Sequence, residues 1–240
     1  MLRIGYLGPK GTFSQEALLK YAKNLEYSPQ EFLSIGEILE AVDARIIDEA
    51  VVPIENSIEG AVNATMDIMA LENDLRIKAE VIIPIREHLL VRKGTKLSEI
   101  KTVLSHPQSL GQCRRYLSRH FPDAVIKATN STAAAAEEVA KGSGDSAAIG
   151  SFEAAKAYGL EIAQTDIQDF DNNTTRFIVV AREDSERTGK DKTSIVFSTE
   201  DKPGSLYKIL EIFNLWDINL SRIESRPAKN RLGSYIFFVD

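Results

Sequence analysis

Cysteine is almost absent: Cys113 stands alone in 240 residues. No intrachain disulfide can form, which fits a reducing compartment. Histidine is nearly as scarce. His88, His106 and His120 have no metal-ligand spacing among themselves or with Cys113, so no zinc or other metal site is expected. Long apolar runs are missing. Val81-Ile82-Ile83 and Ile178-Val179-Val180-Ala181 are far too short to span a bilayer, so no membrane partner is expected. Met1 to Leu7 run straight into a strand-like segment with no signal-peptide profile. Positive charge is in deficit. Lys and Arg number 29 against 35 Asp and Glu, a formal charge of −6. That balance argues against nucleic acid as a partner, because phosphate backbones need a basic stripe. A locally positive cleft for a small anion stays open. The expectation is a cytoplasmic protein.

What is present is ample apolar side chain. At 43% apolar and 27% charged, the chain can build a core of one or two domains. Strand and helix patterns alternate. Residues 2–7 are strand-like. Leu18, Tyr21, Ala22 and Leu25 mark one helix face; Ile35, Ile38, Leu39, Val42 and Ile46 mark another. Further strands are expected at 50–54, 76–91, 103–104, 125–128, 147–150 and 177–181. Helices are expected at 58–70, 110–121, 132–141 and 152–158, with Gly159 as a C-cap. Such alternation predicts an α/β fold with mainly parallel sheet. Arg182–Lys192 is a hydrophilic linker. Beyond it, a strand at 193–198, a helix face at Leu206, Ile209, Leu210 and Phe213, and strands at 218–223 and 232–239 give β-α-β-β. That is the opening of a ferredoxin-like βαββαβ unit, whose last helix and strand would lie beyond Asp240.

Several strands run into Ser, Thr or Asn and then a helix: Leu7 to Thr12 and Ser14, Ile54 to Asn56 and Ser57, Leu104 to Ser105, Ala128 to Thr132, Ile149 to Ser151. Thr12 with Gln15, and Ser105 with Gln108, have the capping-box form. Capping alone explains each one. Together they put helix N-termini at the carboxyl ends of strands, where open α/β sheets bind ligands and where anions are favoured. The Gly8-Pro9-Lys10-Gly11 turn is neither a P-loop nor a dinucleotide fingerprint. Gln108 and Gln112 share a helix face. Cys113 falls on the apolar stripe, so a core role is expected rather than a Cys–His pair with His106. Asn173-Thr174-Thr175-Arg176-Phe177 reads either as an ordinary turn or as a loop bringing a hydroxyl and a fixed cation to the sheet edge, where Arg suits a carboxylate.

Six segments in order resemble the prephenate dehydratase family: Gly8-Pro9-Lys10-Gly11-Thr12-Phe13-Ser14, Pro53-Ile54-Glu55-Asn56-Ser57, Ser105-His106-Pro107-Gln108 with Gln112-Cys113, Asn173-Thr174-Thr175-Arg176-Phe177, Pro203-Gly204-Ser205-Leu206, and Ile223-Glu224-Ser225-Arg226-Pro227. The resemblance implies a two-lobed, periplasmic-binding-protein-like (type 2) catalytic domain over 1–182. Lobe one would be about 1–77 plus 172–182 and lobe two about 80–165, with crossings near 76–82 and 160–172. An ACT regulatory domain, incomplete at its C-terminus, would occupy 193–240. The implied reaction is decarboxylative dehydration of prephenate to phenylpyruvate, carbon dioxide and water in phenylalanine biosynthesis, with no cofactor.

By resemblance Thr175 helps the hydroxyl leave, and Arg176 supports the site or binds a carboxylate. Asn56, Ser105 and Gln112 line the cleft; Glu55 and Ser57 complete its corner. Thr12 and Phe177 complete the substrate set. Helix N-termini near Thr12, Ser57 and Ser105 would hold the dianion. An uncompensated Glu55 would repel it, so Glu55 is expected to be paired, protonated or structural. Gly204, Ser205, Leu206, Glu224, Ser225, Arg226 and Pro227 match the family's phenylalanine-binding segments, which implies L-phenylalanine as effector and a homo-oligomer, dimer or tetramer. A non-catalytic amino-acid sensor, an arogenate-using enzyme and a regulatory module with a dead catalytic domain are the rivals.

Overall fold

The computed structural model describes residues 1–228 and 234–240. It divides into two units, Met1–Asp184 and Ser185–Asp240.

The first unit has two lobes, each built on one sheet. Lobe one opens with β1 (Leu2–Leu7), α1 (Phe13–Tyr21), β2 (Tyr27–Phe32), α2 (Ile35–Asp43), β3 (Glu49–Asn56), the short β4 (Gly60–Ala61), α3 (Asn63–Leu71) and β5 (Arg76–Pro84). Lobe two follows as β6 (His88–Val91), β7 (Thr102–Ser105), α4 (Pro107–Gln112), α5 (Arg114–His120), β8 (Val125–Ala128), α6 (Thr132–Lys141), β9 (Ser146–Gly150), α7 (Phe152–Tyr158) and β10 (Glu161–Gln164). The chain then returns as β11 (Thr174–Ala181) and inserts between β3 and β5, giving the order β2-β1-β3-β11-β5. The second sheet runs β10-β6-β9-β7-β8.

Local chemistry sets the helices. Ser34 caps α2 by accepting the Glu37 N–H at 3.2 Å, and Ile38, Leu39 and Val42 then fall on one buried stripe. Burying each such side chain contributes about 1.5–3 kcal/mol. Pro107 occupies the first turn of α4, where its missing N–H costs nothing. Gly159 ends α7 with φ +66°, the left-handed geometry expected of a C-cap.

Several expectations need correction. The apolar run 76–91 is two strands in two different sheets: β5 pairs β11 along its whole length, so residues 78–84 belong to lobe one and the crossing falls at 85–87. Residues 57–62 form a turn and β4, so the helix expected at 58–70 begins only at Asn63. The helix expected at 110–121 is two, α4 and α5, meeting at Cys113. Each sheet is mixed rather than mainly parallel, because β11 runs antiparallel to both its neighbours and β6 to both of its own.

The second unit holds β12 (Ile195–Ser198), α8 (Ser205–Leu215), β13 (Ile223–Pro227) and β14 (Tyr235–Val239). Its antiparallel sheet has the order β12-β14-β13. The strand expected at 218–223 starts only at Ile223, so Glu224 to Pro227 lie within a strand. Of the strand expected at 232–239, Leu232 and Gly233 lie outside the described residues. Among the described residues no helix is long and apolar enough to cross a membrane.

Candidate active site

The two lobes enclose a cavity of about 370 Å³. Three helices begin on its wall: α1 through Thr12 and Phe13, α4 through His106 and Gln108, and α6 through Ser131 and Thr132. Their caps are made. Thr12 Oγ1 accepts the Gln15 N–H at 3.4 Å, and Ser131 Oγ accepts the Ala134 N–H at 2.9 Å. The expected trio of Thr12, Ser57 and Ser105 is therefore only partly right. Ser57 starts no helix, and α4 is capped by His106, whose Nδ1 accepts the Gln108 N–H at 3.3 Å. Three positive helix ends around one cavity suit a small anion.

A chain of side-chain amides forms the opposite wall. Asn56 Oδ1 accepts two backbone N–H groups, from Ile58 at 2.9 Å and Glu59 at 3.0 Å. That fixes the amide orientation and turns Nδ2 the other way. Nδ2 donates to Asn173 Oδ1 and to Thr175 Oγ1, both at 2.8 Å. Asn173 Nδ2 in turn donates to Gln112 Oε1 at 2.7 Å. Each link dictates the next, and the chain ends on Gln112 Nε2, buried and without a protein partner. Thr175 accepts from Asn56, so its own O–H remains available to donate. Gln112, Asn56 and Thr175 all line the cavity, as do Thr12 and Phe177. The wall thus offers hydrogen-bond donors to whatever enters.

Four expected site residues are not on this wall. Arg176 pairs with Glu55 at 3.1 Å and with Glu80 at 3.2 Å. In register, Asn56 faces Thr175 and Glu55 faces Arg176 on adjacent strands. Side chains alternate along a strand, so the Glu55–Arg176 pair points to the other side of the sheet. Glu55 is accordingly paired, one of the outcomes expected for it. Ser57 Oγ donates to the Asn172 carbonyl at 2.9 Å and accepts the Thr174 N–H at 2.9 Å, tying β3 to the start of β11. Ser105 is fully buried and donates to the Ile149 carbonyl at 2.7 Å. Cys113 lies in the core of lobe two, where burial, and secondarily Glu87, pushes its thiol pKa up.

Glu87 belongs to none of the segments singled out in the sequence, yet it lines the cavity. Glu87 sits where the chain first passes between lobes, 1% exposed. Its N–H donates to Gln168 Oε1 at 3.0 Å and its carbonyl accepts the Ile167 N–H at 2.8 Å, so the two crossings brace one another. Ser109 Oγ donates to its Oε1 at 2.6 Å; Oε2 is buried with no partner. Burial pushes this carboxyl up to about 7, with the Ser109 bond pulling weakly the other way. The sequence signal available was a charged residue inside an apolar run that had to divide between two sheets. Among the described residues no group of three His, Cys, Asp or Glu side chains could hold a metal ion.

In the second unit, Gly204 adopts φ +82° and caps α8, with Ser205 and Leu206 opening the helix. Glu224 and Arg226 alternate along β13 with Ser225 and Pro227, so the four expected effector contacts divide between the strand's two faces. Arg222 donates to Glu224 Oε2.

The prephenate dehydratase family model matches residues 4–185. A bifunctional chorismate mutase/prephenate dehydratase of Aquifex aeolicus is 42% identical over 240 residues, covering all of this chain and 65% of its own length. The chain therefore spans about two-thirds of that relative. A prephenate dehydratase of Methanocaldococcus jannaschii is 44% identical, over 98% of this chain and 86% of its own. Among solved structures, prephenate dehydratase from Arthrobacter aurescens in complex with L-Phe superposes with a TM-score of 0.90 at 40% identity, covering 99% of this chain and 79% of that one. With a family match over most of the chain and relatives this similar along its full length, the chain belongs to the prephenate dehydratase family.

Proposed function

We propose that the protein is a prephenate dehydratase, converting prephenate to phenylpyruvate, carbon dioxide and water. The observation that carries this reading is the polarised amide chain, which presents the Gln112 N–H and the Thr175 O–H to a cavity ringed by helix N-termini. Prephenate is a dianion whose ring becomes aromatic when its carboxylate and hydroxyl leave together. Aromatisation supplies the driving force, so the site must hold the anion, orient it and assist the departing oxygen. Thr175 hydrogen-bonds that oxygen, and Asn56 holds Thr175 in the donating orientation. Gln112 and the starts of α1, α4 and α6 hold the carboxylates. Arg176, through its pairs with Glu55 and Glu80, keeps β11 in register rather than touching substrate. The two lobes and their paired crossings support the periplasmic-binding-protein-like description of this unit.

The second unit is an ACT-type regulatory module that senses L-phenylalanine. Its β-α-β-β order with β14 central and the similarity to an L-Phe-bound relative support this. Exposed Tyr207, Leu215 and Trp216 on and beside α8 support assembly into a homo-oligomer, dimer or tetramer. The lone reduced cysteine fits a cytoplasmic location.

Formation of phenylpyruvate from prephenate by the purified protein, with Thr175→Ala alongside, tests the reading. Removing one preorganised donor should lower kcat about 10²–10³-fold with the fold intact. A folded wild type that forms no phenylpyruvate refutes the activity, and an equally active Thr175→Ala refutes the role.

A further inference from the structure

We propose that Glu87, in its un-ionised form, is the proton donor of the dehydration, handing its Oε2 hydrogen to the hydroxyl that leaves the ring. The inference rests on the dehydratase reading and names the acid that reading lacks. The reaction consumes one proton: a prephenate dianion and one proton become a phenylpyruvate monoanion, carbon dioxide and water. The electron pair of the ring–carboxylate bond enters the ring as carbon dioxide departs. The carbon–oxygen bond across the ring breaks, and the oxygen leaves as water with that bond's own electron pair and the proton from Glu87. Glu87 is left as a carboxylate and regains a proton from solvent before the next turnover.

Thr175 cannot supply this proton alone, because an alcohol gives up its hydrogen far too reluctantly near neutral pH. Among the described residues that line the cavity, only Glu87 and His106 could. His106 Nδ1 is taken up as the acceptor that caps α4. Glu87 is built otherwise. It is buried, its Oε1 is held by Ser109, and its Oε2 has no partner. The neighbouring cation, Arg86, is engaged by Asp166 at 3.7 Å and Asp171 at 3.0 Å rather than by Glu87. The Cys113 thiol, which feels Glu87, is itself held neutral by burial. A carboxyl so placed keeps its proton into the neutral range, and burial carries it to about 7. The Ser109 hydroxyl stabilises the carboxylate left after transfer.

Glu87→Gln keeps the shape and the Ser109 contact but has no acidic proton. It should lower kcat about 10²–10⁴-fold with KM for prephenate little changed. The wild-type kcat should fall as pH rises and Glu87 ionises, and that basic limb should be missing from the residual activity of Glu87→Gln. Ser109→Ala, which removes a bond to the carboxylate, should move the limb to higher pH. The infrared band of an un-ionised carboxylic acid, present in wild type at pH 6 and absent from Glu87→Gln, reads the protonation state without turnover. An active wild type with an equally active Glu87→Gln, an unmoved limb in Ser109→Ala, or no such band overturns the proposal while the dehydratase reading stands. A variant that keeps prephenate turnover but loses arogenate makes Glu87 a counter-charge for an amino group, and also overturns it. A wild type inactive on prephenate overturns both.

Discussion

Glu87 titrates near 7 in the folded chain against an ordinary 4.5, because burial disfavours its charge. Below pH 4.5 the group is protonated folded or unfolded and has no effect on the balance. As pH rises from 4.5 towards 7 the unfolded chain loses the proton first, so stability drains away and is fully lost above 7. Wild type should therefore lose about 3 kcal/mol across that window through this one group, and Glu87→Gln should escape the loss. Urea unfolding of both proteins at pH 4.5 and pH 8 checks this; parallel behaviour at the two pH values would show the carboxyl is not buried as described. Legibility in the sequence was uneven at this scale. Thr175, Asn56 and Gln112 sit in recognisable segments, and the fold joins them through one amide chain. Arg176 and Glu55 belong to the same segments, but adjacency along a strand means opposite faces. Glu87 went unseen because Arg86-Glu87-His88 reads as an ordinary polar break between apolar stretches.

At the scale of elements, the loop before α1 is fitted against α7. Gly11 has φ +85°, and a Cβ there would lie 2.8 Å from Ala154 Cα. Ser151 Oγ donates to the Gly11 carbonyl at 2.9 Å, closing the contact from the α7 side. Gly60 has a similar φ of +82° with nothing within 4 Å of the missing Cβ. Gly60→Ala should cost about 1 kcal/mol from backbone strain alone, and Gly11→Ala clearly more, because strain and collision add. Equal shifts in the urea midpoint would mean the approach of α7 contributes nothing. Helices with strong caps and stripes, such as α2, were readable. β2 was not: Tyr-Ser-Pro-Gln-Glu-Phe carries little apolar signal, and it pairs only as the outermost strand beside β1. An edge strand needs no buried face on both sides, so composition does not reveal it.

For the whole molecule, the linker decides what can be separated. The division between Asp184 and Ser185 falls in a hydrophilic stretch of exposed residues, and the cavity is lined entirely from Met1–Asp184. A fragment ending at Asp184 should keep phenylpyruvate formation within a few-fold and lose any response to L-phenylalanine, which the longer chain should show as falling activity in a titration. Retained inhibition in the fragment would move the effector site into the first unit. The two-unit layout and the α/β class were legible from the linker's composition and the alternation of elements. The lobe boundary was not, because nothing in the run 76–91 says that its first half pairs with residues about a hundred positions later.

That distant pairing shapes how the chain is made. β3 and β5 do not pair with each other; β11 lies between them, and residues 85–173 must be synthesised before it exists. Lobe two is continuous in sequence and can close while the ribosome is still working. Lobe one cannot, and for that interval it waits with two open apolar edges, a template for other strands. The strand that brings Thr175 to the cavity is thus also the last piece of its sheet to arrive, so a nascent chain has no complete cavity wall until the fold that shelters it is finished.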